Sequence, residues 1–166
     1  MSEPFEYLVS KNERVRAFWL AFCKHAGISE TTPYQCWHFG DSAELANDLV
    51  EQVVHGAKRA TAGLLWSHER DPRLAPDDGG YSVVTEYDGT PRAVIRTTHI
   101  DVRRFGDVDA AFAWDEGEGD RTLDWWRDAH RRYFARECES LGRVASDDMP
   151  IVLERFDLLY AVSRER

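Results

Sequence analysis

The stretch Gly56-Ala57-Lys58-Arg59-Ala60-Thr61-Ala62-Gly63-Leu64 decides how this chain of 166 residues is read. Before it, Leu45, Leu49, Val50 and Val53 recur at helical spacing, and after it the apolar run continues through Leu65 and Trp66. A glycine closing a helix can take the left-handed conformation that turns the chain out. The pattern therefore predicts a helix ending at Gly56 and a strand over 58–66. At the joint stand two cations, Lys58 and Arg59, with the Thr61 hydroxyl three residues beyond the first. Cations in the last turn of a helix complement its dipole. A helix end is equally a place where a rigid scaffold presents chemistry.

Upstream, Ser10-Lys11-Asn12-Glu13 has capping-box spacing. Val15, Phe18, Trp19 and Phe22 follow at helical spacing as far as Gly27, giving a helix over 11–26 packed on the core. Residues 28–39 form a loop or extended segment, and Asp41-Ser42-Ala43-Glu44 caps the helix that leads to Gly56. Downstream, the Pro-, Gly- and Asp-rich residues 67–80 predict a long loop. Strands over 81–87 and 92–104 flank Asp88-Gly89, a strong hairpin signal. Asp107 opens a short helix carrying Val108, Ala111 and Phe112, followed by an acidic, flexible run over 115–120. Thr122 caps a last helix bearing Leu123, Trp126, His130, Tyr133 and Phe134, and 150–162 close the chain as a strand. The order α-α-β-β-β-α-α-β with an internal hairpin predicts an α+β fold: a small antiparallel sheet curled into a barrel, with helices packed on its outside. No glycine-rich turn joins a strand to a helix, which excludes Rossmann and P-loop readings.

Composition bounds the function. The length fits one domain, 1–166, and 43% hydrophobic and 12% aromatic residues supply a core. No apolar run approaches the ~18 residues of a membrane span, and residues 1–16 lack a signal-peptide core. Three widely spaced cysteines, Cys23, Cys36 and Cys138, argue against a disulfide framework and for a reduced, cytoplasmic protein. A net charge of -9 excludes coating of nucleic acid by the bulk field. Any contact with RNA or a nucleotide must occur in a local cleft.

The Gly56-x-Lys58-Arg59-Ala60-Thr61-x-x-Leu64 element, the run Glu116-Gly117-Glu118-Gly119-Asp120-Arg121-Thr122-Leu123, and Trp126-Arg127, His130 and Tyr133-Phe134 together resemble the ASCH domain family. The similarity runs from about Phe39 to Val162 and is closest to a bacterial single-domain branch. The resemblance implies a PUA-like β-barrel with a cleft beside the Gly-x-Lys loop, and RNA binding. Some members are reported as ribonucleases, and a shorter branch hydrolyses the amide of N-acetylated cytidine through a lysine, a threonine three residues on and a later glutamate. Carried over, these roles fall on Lys58, Thr61 and Glu116, with Glu118 the rival carboxylate. Where relatives often place a serine two residues after the threonine, this chain has Gly63.

The chemistry of the trio is coherent. A threonine hydroxyl needs a base to take its proton. Lysine serves as that base if burial or a cationic neighbour such as Arg59 lowers its pKa. Regular strand alternation would put Lys58 and Thr61 on opposite faces, so Lys58 must lie in the turn before the strand. Glu116, Glu118 and Asp120 offer oxygens for Mg²⁺ or Mn²⁺, although Asp120 equally suits a loop-fixing role. Arg59, Trp66, Arg96, Asp120, Trp126 and His130 are the candidate substrate contacts, Trp66 as a stacking platform. Trp126 and His130 alternatively pack in the core; Arg92, Arg96, Arg103 and Arg104 are candidate phosphate contacts lining the cleft, and alternatively form a solvent face. The expected function is a hydrolase: first a ribonuclease on single-stranded RNA, second an amidohydrolase of N-acylated cytidine. A non-catalytic reader of RNA or a nucleotide is the third reading. The expected partner is single-stranded RNA or a pyrimidine nucleoside or nucleotide, with no membrane, for a monomer or homodimer.

Overall fold

The structure is a computed structural model describing residues 7–164. Helix α1 spans Glu13–Ala26, strand β1 Tyr34–His38, α2 Ala43–His55, β2 Ala60–Leu64 and α3 Leu65–Arg70. Strands β3, Tyr81–Thr85, and β4, Pro91–Arg104, come next, then α4, Ala110–Glu116, α5, Leu123–Ser140, and β5, Pro150–Ala161. The five strands form one sheet in the order β1-β3-β4-β5-β2. β1 pairs with β3 in parallel and the other neighbours are antiparallel. The long β4 and β5 share eleven residue pairs with two register shifts, and bulges of this kind bend strands and increase their twist. The result is a curled half-barrel with helices around it, the α+β fold expected.

Alternation along the strands assigns the helices to faces. Val83 and Val94 pack with Val15, Trp19 and Phe22 of α1. Their neighbours Val84, Ala93 and Ile95 pack with Leu49, Val50 and Val53 of α2. A third cluster joins Ala60, Leu64, Ile151 and Leu153 of the sheet to Phe112 of α4 and Trp126 and Phe134 of α5. All three cysteines are buried and free. No helix among the described residues is long and apolar enough to cross a membrane.

Several boundaries differ from expectation. The α1 cap is Asn12, whose side chain accepts from Val15 N, and not Ser10, so the helix starts at Glu13. The segment 28–39 contains β1. Gly56 is extended (φ -119°), not left-handed; a side chain there would come within 2.9 Å of Gln52 O, so glycine serves close approach. The strand predicted over 58–66 stops at Leu64, and α3 occupies part of the expected long loop. Asp109, not Asp107, caps α4 by accepting from Phe112 N. The caps at Ser42 and Thr122 and the turn at Asp88-Gly89 are as predicted.

Candidate active site

Lys58 lies in the turn before β2, as the trio requires. The N–H groups of Gly56 and Lys58 both donate to Gln52 O, at 3.1 and 3.3 Å, and Arg59 N–H ties the turn to α4 through Asp115 O at 2.8 Å. The side chain is driven inward and is 1% exposed. Its ammonium donates to Ala60 O at 2.8 Å, Glu116 O at 3.4 Å and Glu116 Oε1 at 3.5 Å, and stands 3.7 Å from Glu118 Oε2. The ammonium is thus surrounded by oxygens from β2 and from both glutamates.

The run Glu116-Gly117-Glu118-Gly119-Asp120 is folded against this turn and is not a loose acidic loop. Gly117 ends α4 at φ 71°, and a side chain there would meet Lys58 N at 2.8 Å. Gly119, at φ 57°, lies under the Trp125 indole, 2.1 Å from where a Cβ would stand. The two glycines let the loop press on the Lys58 backbone and on α5, and both glutamates turn inward as a consequence. Asp120 turns outward. Its Oδ1 accepts from Thr122 N at 2.9 Å and Thr122 Oγ1 at 2.6 Å, so it fixes the loop and touches neither substrate space nor an ion site.

Helix α5 completes the cluster. Trp126 Nε1–H donates to Glu116 Oε2. His130, one turn on, stacks on Trp126 with ring centroids 4.2 Å apart. Its Nδ1 lies 2.9 Å from Trp126 O, a pure acceptor, so Nδ1 carries a proton. Nε2 faces Glu116 Oε1 at 3.2 Å and Glu118 Oε2 at 3.5 Å. Burial opposes the imidazolium, but Glu116 and then Glu118 outweigh it and raise the His130 pKa. Burial likewise opposes the Glu116 carboxylate, yet His130 and Lys58 together hold its pKa well below the usual range. Glu118 is pushed up to about 7, by burial first and by Glu116, against the pull of Lys58. The pair therefore keeps one proton to near neutrality, and Glu118 holds it. Glu118 Oε2 is buried without a hydrogen-bond partner.

Glu118 lines a cavity of about 250 Å³ together with Lys58, Thr61, Glu116, His130 and Trp125, with Arg132 and Arg136 also on its wall. The structure thus brings Lys58, Thr61, Glu116, Glu118 and His130 to one cleft. Other expected contacts lie elsewhere. Arg59 donates to Val53 O and Lys58 O and locks the end of α2. Trp66 is on α3, packed on the core under the Arg143 guanidinium at 4.3 Å. Trp126 is 1% exposed and positions Glu116. Arg96 donates to Gly79 O outside the cleft. Arg92 is buried between Glu51 and Glu86, while Arg103 and Arg104 pair with Asp101 and Asp148.

Sequence reasoning missed Trp125, whose partly exposed ring at the cavity wall is the better stacking surface. It also missed Glu154 and His68. Glu154 was the legible one: a carboxylate inside the apolar strand Ile151–Phe156 has no reason to be there for packing alone.

The ASCH domain family model matches residues 35–160. The chain is 33% identical to the ASCH domain from Lactobacillus crispatus, with a TM-score of 0.82 over 93% of this chain and 99% of that one. It is 31% identical to a protein from Enterococcus faecalis, with a TM-score of 0.79 over 88% of each chain. No curated protein matches it. The chain belongs to the ASCH domain family, whose PUA-like fold is generally of the RNA-binding type.

Proposed function

We propose that this protein hydrolyses the amide bond of a small acylated amine of nucleoside size, with Glu118 moving the proton. The observation that carries this reading is the buried Glu118 carboxyl. It lines a cavity shared with Thr61, and it has a pKa of about 7 set by burial first and by Glu116. In its ionised form Glu118 accepts the Thr61 hydroxyl proton, directly or through one water, as the oxygen attacks the acyl carbon. The protonated Glu118 then gives that proton to the leaving nitrogen as the C–N bond breaks. Water regenerates Thr61 by the reverse proton path. Lys58 and His130 supply fixed positive charge beside the developing oxyanion, the kind of preorganised field that stabilises such states. Lys58 is therefore the stabiliser and Glu118 the base.

Single-stranded RNA fits this cleft less well. Its inner wall carries buried carboxylates, which repel a polyanion, and the nearby arginines Arg132 and Arg136 are already paired with Asp128 and Asp41. A divalent metal also fits poorly. Glu116, Glu118 and His130 present ligand atoms within 4.8 Å of one another, but the Lys58 ammonium and the His130 imidazolium already face those oxygens. The test is turnover of N-acetylcytidine and of labelled single-stranded RNA by pure protein, each with and without EDTA. The expected result is EDTA-insensitive deacetylation, lowered roughly 10²-fold or more in Glu118→Gln, and no cleavage of RNA. EDTA-sensitive RNA cleavage would replace this reading by the nuclease one. Salt-dependent RNA binding without any turnover would replace it by the reader.

A further inference from the structure

The sheet ends on β1 at one side and on β2 at the other, and a second cavity, of about 120 Å³, is lined by residues of both. Its wall is mixed. Trp37, Phe39, Leu64 and Leu74 make apolar stretches, whereas Gln35, His38 and Ser67 are polar. These three are engaged: Gln35 Nε2 donates to Ala75 O at 2.7 Å, His38 Nδ1 lies 2.9 Å from Phe39 O, and Ser67 Oγ donates to Glu137 Oε1 at 2.6 Å. Two carboxyls complete the wall, Glu137 from α5 and Glu154 from β5. Glu154 is 7% exposed, and its Oε1 accepts from Thr97 Oγ1 at 2.6 Å. Each carboxyl thus has one oxygen held by a hydroxyl, and among the described residues the second oxygen of each accepts no hydrogen bond. No lysine or arginine lines the cavity. The cations of neighbouring elements are paired elsewhere, Lys58 with Glu116 and Glu118, Arg136 with Asp41 and Arg155 with Asp115. Glu137 feels the charge of Asp41 and Glu154 that of Lys58, but neither feels the other, so the two stand well apart on the wall.

We propose that this cavity binds a short aliphatic diamine in its doubly protonated form, one ammonium on Glu154 and the other on Glu137. A buried charge is costly unless an opposite charge meets it. These two carboxyls have none, and they are separated by apolar wall. An ammonium carries three donors and no acceptor, so it suits an oxygen that lacks a donor. A methylene chain between two ammoniums suits the apolar stretch of Trp37, Phe39 and Leu64. A single cation would leave one carboxyl uncompensated, whereas a dication neutralises both. An engineered cavity of ~150 Å³ takes up benzene, and 1,4-diaminobutane has as many heavy atoms as benzene. Burial raises Glu154 to about 7 against the pull of Thr97 and Lys58. Burial and Asp41 raise Glu137 to about 6 against that of Ser67. The empty cavity therefore holds protons that a bound dication displaces. The other titratable groups on its wall are His38, His68, Tyr7 and Tyr133. Burial holds His68 near 4 and pushes Tyr7 to about 12 and Tyr133 well above its ordinary value, so these three stay neutral. The inference is independent of the hydrolase reading, because binding is read without turnover.

The test is calorimetric titration of the whole chain with 1,4-diaminobutane near pH 5.5 and near pH 8, at constant ionic strength, with amide chemical shifts to locate the site. Aliphatic ammoniums keep their protons to about 10, so the ligand's own charge does not explain a difference between the two. Affinity should be roughly tenfold or more higher near pH 8, and binding near pH 5.5 should release protons, seen as a dependence of the heat on the buffer. The diamine should accordingly raise Tm more near pH 8 than near pH 5.5. Butylammonium, with one charged end, should bind roughly tenfold or more weakly, as for one lost charge-assisted hydrogen bond, and the uncharged 1,4-butanediol more weakly still. Shifts should centre on Thr61–Gly63, Ser67 and Glu137. Glu154→Gln and Glu137→Gln still accept from Thr97 and Ser67, and each should bring the diamine down to the affinity of butylammonium. No binding, equal affinity for diamine and butylammonium, affinity independent of pH, or full affinity in both variants would overturn the assignment. Shifts confined to Trp125 and His130 would overturn it too, by placing the cation in the other cleft. Should either variant fail to fold, the comparison of ligands and pH on the unaltered chain decides alone.

Discussion

At the scale of single residues, the cleft separates two carboxylates that stand two positions apart in sequence and are alike in chemistry. Glu116 receives Trp126, His130 and Lys58 and is held ionised, whereas Glu118, whose Oε2 has no hydrogen bond, keeps its proton to about 7. A base must be ionised to act, so kcat/KM for amide hydrolysis should rise with pH through about 7. Glu118→Asp, which retains a carboxyl on a shorter stem, should keep such a limb at reduced rate, and Glu118→Gln should abolish it. A pH–rate profile without a limb near 7 would remove Glu118 from the base role. Lys58→Met should unfold more easily by roughly 3–5 kcal/mol, because it strands buried carboxylates without their cation. Denaturant midpoints check this, and a loss under ~1 kcal/mol would mean that the pair is solvated.

At the scale of elements, the α4–α5 connection is a device for turning two glutamates inward. Its glycines differ from an ordinary left-handed cap. Gly142 has φ 67° with nothing within 4 Å of a would-be Cβ, while Gly117 has φ 71° and would strike the Lys58 backbone at 2.8 Å. Gly142→Ala should cost only the left-handed penalty, ~1–2 kcal/mol. Gly117→Ala should cost distinctly more and lower turnover by moving Lys58. Equal costs in chemical denaturation would show that the turn yields freely. On β2, Gly63→Ser adds a side chain that takes the space of the His68 ring. It should leave the fold intact and displace the imidazole, as read by amide chemical shifts that change around His68 and not across the sheet; unchanged His68 shifts would contradict the contact.

At the scale of the whole molecule, the half-barrel stores several carboxyls whose folded pKa is raised. Glu118 and Glu154 reach about 7 and Glu137 about 6, each with burial as the leading cause. The folded state then binds more protons than the unfolded state between the ordinary carboxyl range and pH 7. Stability must fall as pH rises through that window. The raised His130 acts in the same direction, its contribution being lost as pH rises through its folded pKa. The depressed Glu116 acts oppositely, and only in stronger acid. Thermal melts should give a higher Tm near pH 5.5 than near pH 8, by an amount on the order of a few kcal/mol in stability. Glu154→Gln should flatten part of that slope. A Tm that climbs from pH 5.5 to 8 would contradict the raised carboxyls.

What the sequence determined by itself is short-range. Helical spacing, the caps at Ser42 and Thr122 and the Asp88-Gly89 turn depend on residues within a few positions of one another, so they could be read directly. The joint at Lys58 and the Glu-Gly-Glu-Gly-Asp run were legible as a site because their spacing is local and resembles a family pattern. The tertiary structure alone decided the rest. The five residues of β1 become a strand only because β3 offers a parallel partner and helices cover both faces. Arg59, Arg92 and Arg96 bond carbonyls and carboxylates outside the cleft. Glu116 and Glu118 both line the cavity, but the donors on α5 hydrogen-bond Glu116, and Glu118 keeps the proton. Glu154 stands beside Thr61 through a ladder register, and His68 reaches over Gly63 through a missing side chain. Charge, burial and hydrogen-bond supply are properties of the packed surroundings, and no window of sequence contains them.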